Sequence, residues 1–215
     1  MNTLMRCIRK NKRGIVGIEA AIVLIAFVVI AAALAYVVIN MGFYSAQTAK
    51  STINKGINEA TSALELDGYI TGLTDTNGNI TALAVPLKLA VAQQQVDMAK
   101  NTVVVAVQGG NFSLANIYNG SVTSSERDVA TLIATANGTD NLPNATCFLY
   151  NAPIATDTVL QQNGKAYMVI YLGPSYPLLP YTKVTVEIRT SVGAALMIQR
   201  DIPGGLPQSA LIDLG

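Results

Sequence analysis

The sequence predicts an α+β protein in which one long N-terminal α-helix precedes an antiparallel β-sandwich of immunoglobulin-like type. Two observations carry this prediction. Ala20–Ile39 is a 20-residue apolar run without a charge, and after Leu64 the chain contains short segments in which apolar and polar residues alternate. The first pattern has the length of a bilayer-crossing helix, and the second has the period of half-buried strands. We therefore expect a leader at 1–14, a helix at 15–64 and a β-domain at 65–215.

The composition argues against most enzyme classes and against nucleic-acid binding. The 215 residues include no histidine, which excludes the usual zinc sites and Ser-His-Asp or Cys-His catalysis. Only 13% of the residues are charged, about half the usual share of a soluble domain. No phosphate-binding glycine loop, Cys-x-x-Cys pair or cluster of metal ligands is present. We expect no catalytic activity, no cofactor, no metal and no nucleic-acid partner.

The basic residues at the N-terminus set the orientation of the apolar run. Five basic residues and no acidic residue occur in the first 14 positions: Arg6, Arg9, Lys10, Lys12 and Arg13. Basic residues beside an apolar helix stay on the cytoplasmic side, so the chain after Met41 is expected outside the membrane. Three fates remain open for the run: a secretory signal peptide, a permanent single-pass anchor, or a temporary anchor cut on its cytoplasmic side. The run is long for a signal peptide.

The junction between the basic head and the apolar run favours the temporary anchor. Residues 11–19 read Asn-Lys-Arg-Gly-Ile-Val-Gly-Ile-Glu. This stretch resembles the class III signal of type IV pilin-like proteins, which a membrane peptidase cuts after the glycine. The wider region of residues 12–56 is similar to the N-terminus of archaellins, the filament subunits of the archaeal flagellum. The resemblance implies cleavage between Gly14 and Ile15 by a prepilin-like signal peptidase.

The residue types at this junction suit a cleavage and assembly site. Gly14 has no side chain to obstruct a peptidase and a low helix propensity. Cleavage would free an α-amine on Ile15, one helical turn before Glu19. Charges in a dry filament core need partners, so the carboxylate pairs with its own amine or with that of a neighbouring subunit. The plainer alternative is an acid favoured by the helix dipole. The archaellin resemblance implies that Ile15 and Glu19 take part in subunit assembly.

The predicted helix is apolar on every side in its first half, so it must be buried on every side. Burial of its large apolar side chains is worth on the order of 25–50 kcal/mol, and lipid offers a similar gain. The resemblance therefore implies an ATPase and a membrane assembly platform that extract the precursor and bundle it with identical copies. In the second half, apolar residues recur every three or four positions, which predicts a single buried stripe that docks on the β-domain. Its members are Ala46, Ala49, Ile53, Ile57, Ala60 and Leu64.

The β-domain is predicted from alternation and turn signals. Asn77-Gly78 and Asn163-Gly164 are typical of type I′ hairpins, and Pro86 favours a sheet edge or a bulge for its strand. Cys147 is expected to be a small buried residue. The predicted strands are Leu83–Leu89, Thr102–Val107, Cys147–Tyr150, Ala166–Leu172, Lys183–Arg189 and Ala195–Gln199.

Five Asn-x-Ser/Thr sequons lie in the β-domain and are candidates for N-glycosylation, with three or more expected to carry glycans. Their asparagines are Asn79, Asn111, Asn119, Asn137 and Asn144. The alternative is that an Asn- and Thr-rich surface produces sequons by chance. Archaellins are commonly N-glycosylated, so the resemblance implies a glycoprotein.

Taken together, these features predict a structural subunit of the archaellum that polymerises through its N-terminal helix into an extracellular swimming filament. The precursor would reside transiently in the cytoplasmic membrane. Two alternatives remain open: a subunit of an adhesive type IV-like pilus, and a single-pass membrane-anchored binding protein with a β-sandwich domain.

Overall fold

The apolar run forms the middle of a 48-residue helix, α1 (Arg13–Ala60), in the computed structural model of the chain. The structure describes residues 13–60, 63–90, 95–137, 142–150 and 157–215. It divides into two units, Met1–Asn54 and Lys55–Gly215. At the usual rise of 1.5 Å per residue, α1 is about 72 Å long.

Both ends of α1 differ from the prediction. The helix starts at Arg13 rather than Ile15, because one glycine near a helix end costs only about 1 kcal/mol. It ends at Ala60, and Leu64, predicted as the last helical residue, instead opens the first strand. Leu64 is 1% exposed. A single leucine at helical spacing also fits the first inward position of a strand, which explains the misplaced boundary.

The second unit consists of short strands and one further helix. In chain order the strands are β1 (Leu64–Leu66), β2 (Thr71–Thr74), β3 (Ile80–Leu89), β4 (Gln95–Asp97), β5 (Val104–Gln108), β6 (Ser113–Leu114), β7 (Tyr118–Thr123), β8 (Asn144–Tyr150), β9 (Val159–Gln161), β10 (Lys165–Tyr171), β11 (Lys183–Arg189), β12 (Leu196–Asp201) and β13 (Leu211–Asp213). The helix α2 (Val129–Asn137) lies between β7 and β8.

Two sheets pack face to face, which confirms the predicted sandwich. Within the described residues, the larger sheet has the order β13-β2-β3-β10-β8-β7, with β1 also beside β3, and the smaller one has the order β12-β11-β5-β6. β4 and β9 form a separate two-stranded sheet. One hydrophobic core joins them, with Val85 and Ile170 from the larger sheet and Val105 and Val186 from the smaller. The pairing is antiparallel except between β7 and β8, which are parallel.

Alternation correctly predicted β11. Val184, Val186 and Ile188 are at most 2% exposed, whereas the residues between them face outward. The other predicted strands are also present, with ends displaced by one to three residues. Such displacements arise because strand ends depend on partner strands rather than on local sequence.

The helix α2 covers part of the outer face of the larger sheet and was not predicted. Its buried residues Leu132, Ile133 and Ala136 pack against Phe148 and Val169, among others. Asp128 caps its N-terminus, since Oδ2 accepts hydrogen bonds from Thr131 N at 3.3 Å and Thr131 Oγ1 at 2.8 Å. These bonds, led by that from the threonine hydroxyl, lower the pKa of Asp128. Nine residues give too short a window for helical periodicity to be recognised.

Pro86 does not lie on an edge strand as predicted. β3 is an interior strand, with β10 along one side and both β1 and β2 along the other. β1 pairs with residues 87–89 and β2 with residues 80–84, so Pro86 stands opposite the gap between them. Its carbonyl accepts a hydrogen bond from Asp67 N on that side at 3.0 Å. The missing N–H of proline therefore interrupts no ladder bond, which makes an interior position acceptable.

The two predicted turns form with other geometries. Asp75 O accepts from Gly78 N and Asp75 N donates to Asn79 O, and only Gly78 in this loop has a positive φ, of 79°. The β2–β3 hairpin therefore has a three-residue loop with a glycine bulge instead of a type I′ turn. Asn163 has a φ of 65°, but its turn connects β9 and β10, which belong to different sheets. That turn does not close a hairpin.

We predict that Asp75→Ala destabilises the hairpin in a pH-dependent manner. Asp75 Oδ1 accepts hydrogen bonds from Asn77 N at 2.7 Å and Asn79 N at 2.8 Å. Burial raises the pKa of Asp75, but the hydrogen bonds from Asn79 and Asn77 outweigh it and the pKa is lowered. Because the pKa is lower in the folded state, the Asp75 carboxylate stabilises the fold fully at pH values above its unfolded-state pKa. This stabilisation is lost as the pH falls through the folded-state pKa. At pH 7 the variant should lose about 1 kcal/mol of its free energy of unfolding, seen as a lower melting temperature. The difference from the wild-type chain should shrink toward pH 2.

Asp201→Ala is the matched control, since this carboxylate is 82% exposed and 3.8 Å from Lys183. We expect it to change the melting temperature little at either pH. An equal loss for Asp75→Ala at both pH values would show that the carboxylate charge is not what stabilises the loop.

Candidate assembly and modification sites

The apolar half of α1 is uncovered on all sides. Each residue from Gly17 to Ala60 is exposed. Ile22, Val23, Leu24 and Ile25 lie about 100° apart around the helix axis and are 62–68% exposed. Single exposed apolar residues are ordinary, but a continuous apolar surface of this extent marks a contact with protein or membrane.

The same helix meets the physical requirements for a membrane span. Within Gly17–Ala60, its most apolar 18 residues have a mean hydropathy of 3.2, and none of them is buried. Length and composition therefore allow this helix to cross a bilayer.

The predicted stripe in the second half of α1 is not buried in the single chain. Ile53 and Ile57 are 61% and 53% exposed, and only Leu64, which belongs to β1, is buried. The periodicity of this segment therefore still predicts a surface that packs against protein.

The threonines in this part of α1 satisfy their own hydrogen-bonding needs. Thr48 Oγ1 donates to Tyr44 O and Thr52 Oγ1 donates to Thr48 O, both at 2.9 Å. With Ser45, Ala49 and Ile53 these residues line a shallow groove along the helix. Because the two hydroxyl groups are already bonded, this surface can be enclosed without leaving those donors unpaired.

The predicted processing and assembly residues all lie in the first two turns of α1. Gly14 and Ile15 belong to the first turn, and Glu19 is exposed and four residues after Ile15. Positions four apart lie on one face of a helix, so Glu19 follows Ile15 by about one turn of the backbone. The basic residues 6–12 and Cys7 lie outside the described residues.

The five sequon asparagines differ in accessibility. Asn111 and Asn119 are exposed, and Asn119 Oδ1 accepts a hydrogen bond from Lys100 Nζ at 3.0 Å. This bond uses the oxygen of Asn119 and not the amide nitrogen to which a glycan is attached. Asn79 is half-buried, and its side chain is hydrogen-bonded to Asp75.

The remaining two asparagines lie where α2 ends and β8 begins: Asn137 is the last residue of α2, and Asn144 is the first residue of β8. Asn144 Nδ2 donates to Ala136 O at 2.8 Å, which ties β8 to the last turn of α2. The Oδ1 atoms of Asn137 and Asn144 are both buried without a hydrogen-bond partner. The amide nitrogen of Asn144 is therefore occupied in the folded domain.

Cys147 is a core residue, as predicted. It is fully buried, and burial raises the pKa of its thiol to about 12, so the reactive thiolate is scarce at neutral pH. In the described ranges, no group of three or more acidic or cysteine side chains is placed to hold a metal ion.

Comparison with known proteins identifies relatives over most of the chain. The archaeal-type flagellin family matches residues 14–200. Probable flagellin 1 of Aeropyrum pernix is 39% identical over 212 residues, which cover 96% of this chain and 100% of that protein. Probable flagellin 1 of Archaeoglobus fulgidus is 30% identical over 90% of this chain and 92% of that protein.

The fold has a counterpart among solved structures. The archaeal flagellum of Methanospirillum hungatei matches with a TM-score of 0.55 and 24% identity, covering 91% of this chain and 99% of that chain. At this level of identity the likeness concerns the fold, and it confirms a long N-terminal helix followed by a domain of antiparallel sheets.

Proposed function

Because this chain belongs to the archaeal-type flagellin family, we propose that it is a structural subunit of the archaellum filament and polymerises with identical copies through α1. The observation that supports this most directly is the exposure of α1 on every side. An apolar helix that its own chain leaves uncovered is stable in only two surroundings, a bilayer or a bundle of similar helices. The first suits a membrane-bound precursor and the second a cell-surface filament.

Transfer between these surroundings gains little free energy by itself. Lipid tails and packed apolar side chains are similar solvents for leucine, isoleucine and valine. Extraction of α1 from the membrane therefore requires work from elsewhere, and we propose that an ATPase and its membrane platform supply it. Flagellins form a structural family, and the role of this chain in the filament is mechanical.

Processing is proposed between Gly14 and Ile15. Both residues lie in the first turn of α1, so the peptidase has to unwind that turn to bind extended backbone. The first turn of a helix has unsatisfied N–H groups and frays easily, and glycines at positions 14 and 17 lower the cost further. Cleavage would also remove the basic residues that hold the N-terminus in the cytoplasm.

Glu19 is proposed to pair with an α-amine created by this cleavage. A carboxylate enclosed in a bundle of apolar helices loses its hydration and needs a cationic partner. The amine of Ile15 is such a partner, whether it comes from the same subunit or from a neighbour. The pairing would fix the depth at which each helix enters the bundle, because a displaced Glu19 would face apolar side chains.

The first prediction for this function concerns processing, in a strain lacking the gene and complemented with variants. The wild-type gene should restore swimming, and sheared filaments should begin at Ile15. Gly14→Val should instead accumulate uncleaved precursor in the membrane, because a branched side chain enters the peptidase subsite. The N-terminal sequence and the size of the membrane-bound chain measure this.

Gly17→Val is the matched control, since it adds the same side chain to the same helix three residues beyond the cut. Its cleavage should proceed normally, whatever its effect on assembly.

Filaments that begin at Met1 would support a permanent anchor, and a start near Ala33 would support ordinary secretion. Retained swimming with lost surface attachment in the deletion strain would favour an adhesive pilus.

The second prediction separates assembly from processing. Glu19→Ala should be cleaved after Gly14 but should yield far fewer filaments, because the enclosed α-amine loses its partner, at a cost of several kcal/mol. Glu19→Gln retains the size and hydrogen-bonding capacity and should recover only part of the yield. Glu59→Ala, at the other end of α1, is the control. Normal filament number and length for Glu19→Ala would rule out the pairing.

The third prediction concerns glycans. We propose that Asn111 and Asn119 are the most fully occupied sequons, because they are exposed and, among the described residues, their amide nitrogens donate no hydrogen bond that would compete with a glycan. Asn144 should be occupied least, since its Nδ2 already donates to Ala136 O. Mass spectrometry of peptides from sheared filaments measures occupancy. Higher occupancy at Asn144 than at Asn111 would show that modification precedes folding and ignores these contacts.

A further inference from the structure

The β-domain presents one aromatic side chain almost entirely to solvent. Tyr181 is 87% exposed and has a φ of 63°, a left-handed conformation that is unusual for a bulky residue. Its backbone is nonetheless fixed, since Tyr181 N donates to Ile202 O at 2.9 Å and Ile202 N donates to Thr182 O at 2.8 Å. Strained backbone held by its surroundings is a reason to suspect a function.

The position of the Tyr181 ring depends on a glycine. A Cβ atom on Gly204 would collide with Cζ of Tyr181, so the ring occupies the space that any other residue would need. Leu179, 39% exposed, belongs to the same turn, because its carbonyl accepts hydrogen bonds from Thr182 N and Oγ1. We call Leu179 and Tyr181 the tyrosine knob.

A second exposed aromatic residue lines a cleft elsewhere in the domain. Tyr69 is 71% exposed and, with Pro86, Tyr167 and Leu211, borders a cavity of about 510 Å³. This volume lies within the range of about 300–1,000 Å³ that is usual for binding clefts. Asp67 and Asp213 also line the cavity. We call this cavity the tyrosine cleft.

The knob adjoins the start of β3, and the cleft lies beside the second half of that strand. Leu178, three residues before Tyr181, pairs with Ile80 at the start of β3. Pro86, in the cleft, lies six residues further along the same strand. At about 3.3 Å per residue, Ile80 and Pro86 are roughly 20 Å apart along the strand.

This arrangement suits contacts between successive copies in a polymer. An open-ended filament needs two different, complementary patches on each subunit, since a patch that pairs with itself closes into a dimer. We infer that the tyrosine knob of one copy occupies the tyrosine cleft of a neighbouring copy in the filament. The inference rests on the proposed filament function and adds the residues through which the outer domains make contact.

The chemistry of the cleft matches a phenol. Tyr69 and Tyr167 offer aromatic faces and edges to a third ring. The carboxylate of Asp67 is engaged by Lys165 Nζ at 2.7 Å, whereas Asp213 Oδ1 accepts only the N–H of Gly215 among the bonds described for that carboxylate. Asp213 therefore retains acceptor capacity for the phenolic O–H of an incoming tyrosine.

Cross-linking in intact filaments tests the contact. In the mature chain proposed here Cys7 is removed and Cys147 is buried, so cysteines introduced in place of Tyr69 and Tyr181 would be the accessible thiols. Filaments of the Tyr69→Cys/Tyr181→Cys chain, treated with a short bismaleimide, should give a ladder of covalent oligomers on denaturing gels. A cross-link within one chain would leave that chain a monomer on the gel, so the ladder reports contacts between copies.

The matched control is Tyr69→Cys/Met197→Cys, because Met197 is 65% exposed on the outer face of the smaller sheet. It should give no ladder beyond that of the wild-type chain. Normal filaments without a ladder in the test chain, or equal ladders in both chains, would overturn the inference while leaving the filament function intact. Failure of the wild-type chain to form filaments would instead refute the proposed function.

Two further variants test the knob without removing a core residue. Tyr181→Asn keeps a residue type that tolerates left-handed backbone, and Gly204→Ala displaces the ring while Tyr181 itself is unchanged. Each should lower filament yield roughly five- to tenfold, the loss typical of one interface anchor, with an unchanged melting temperature of the unassembled subunit. Tyr181→Phe, which loses only the phenolic donor, should have a smaller effect. Wild-type yields for both Tyr181→Asn and Gly204→Ala would contradict the inference.

Discussion

The need to enclose α1 governs the rest of this molecule. Its apolar half is exposed all the way around, with Phe27 and Tyr36 each at least 70% exposed, and no face is distinguished by polar residues. In water, this exposed apolar helix is unstable. The two surroundings that stabilise it, a bilayer and a bundle of similar helices, consist of other molecules. The proposed membrane-bound precursor and the proposed bundle of identical copies are the two ways in which this requirement is met.

The polar groups of α1 and the separate core of the β-domain are consistent with that requirement. Thr48 and Thr52 bond to the carbonyls one turn earlier, so these hydroxyls impose no cost when the helix is enclosed. The β-domain builds its own core between its two sheets. A separate core of this kind is what the proposed transfer of α1 from lipid to protein needs, because the outer domain then stays folded in both surroundings.

Features set by short-range periodicity, such as a helix or an alternating strand, could be predicted from the sequence. Features that depend on which strands pair with each other could not. An apolar run of membrane length and the alternation in β11 are local signals, and both were interpreted correctly. The interior position of Pro86 depends on a gap between two other strands, and the parallel pairing of β7 depends on β8. Likewise, the exposure of Tyr69 and Tyr181 was not predicted, because tyrosine occurs equally well in cores and on surfaces. Cleavage, pairing of Glu19 and glycan occupancy remain predictions.

Burial of α1 alone does not specify how subunits are aligned. An apolar surface that is similar on all sides gains nearly the same free energy at many rotations and axial offsets, because the hydrophobic effect is non-directional. A filament with a single helical arrangement therefore needs directional contacts in addition. Glu19 can supply one in the core, since a misplaced carboxylate is expensive there. The tyrosine knob, beside Gly204, and the tyrosine cleft, lined by Tyr69, can supply a second directional contact outside the filament core. A displacement of a few ångströms between two subunits would take the knob out of the cleft. Strength then comes from the helix, and register comes from a small number of polar and aromatic residues.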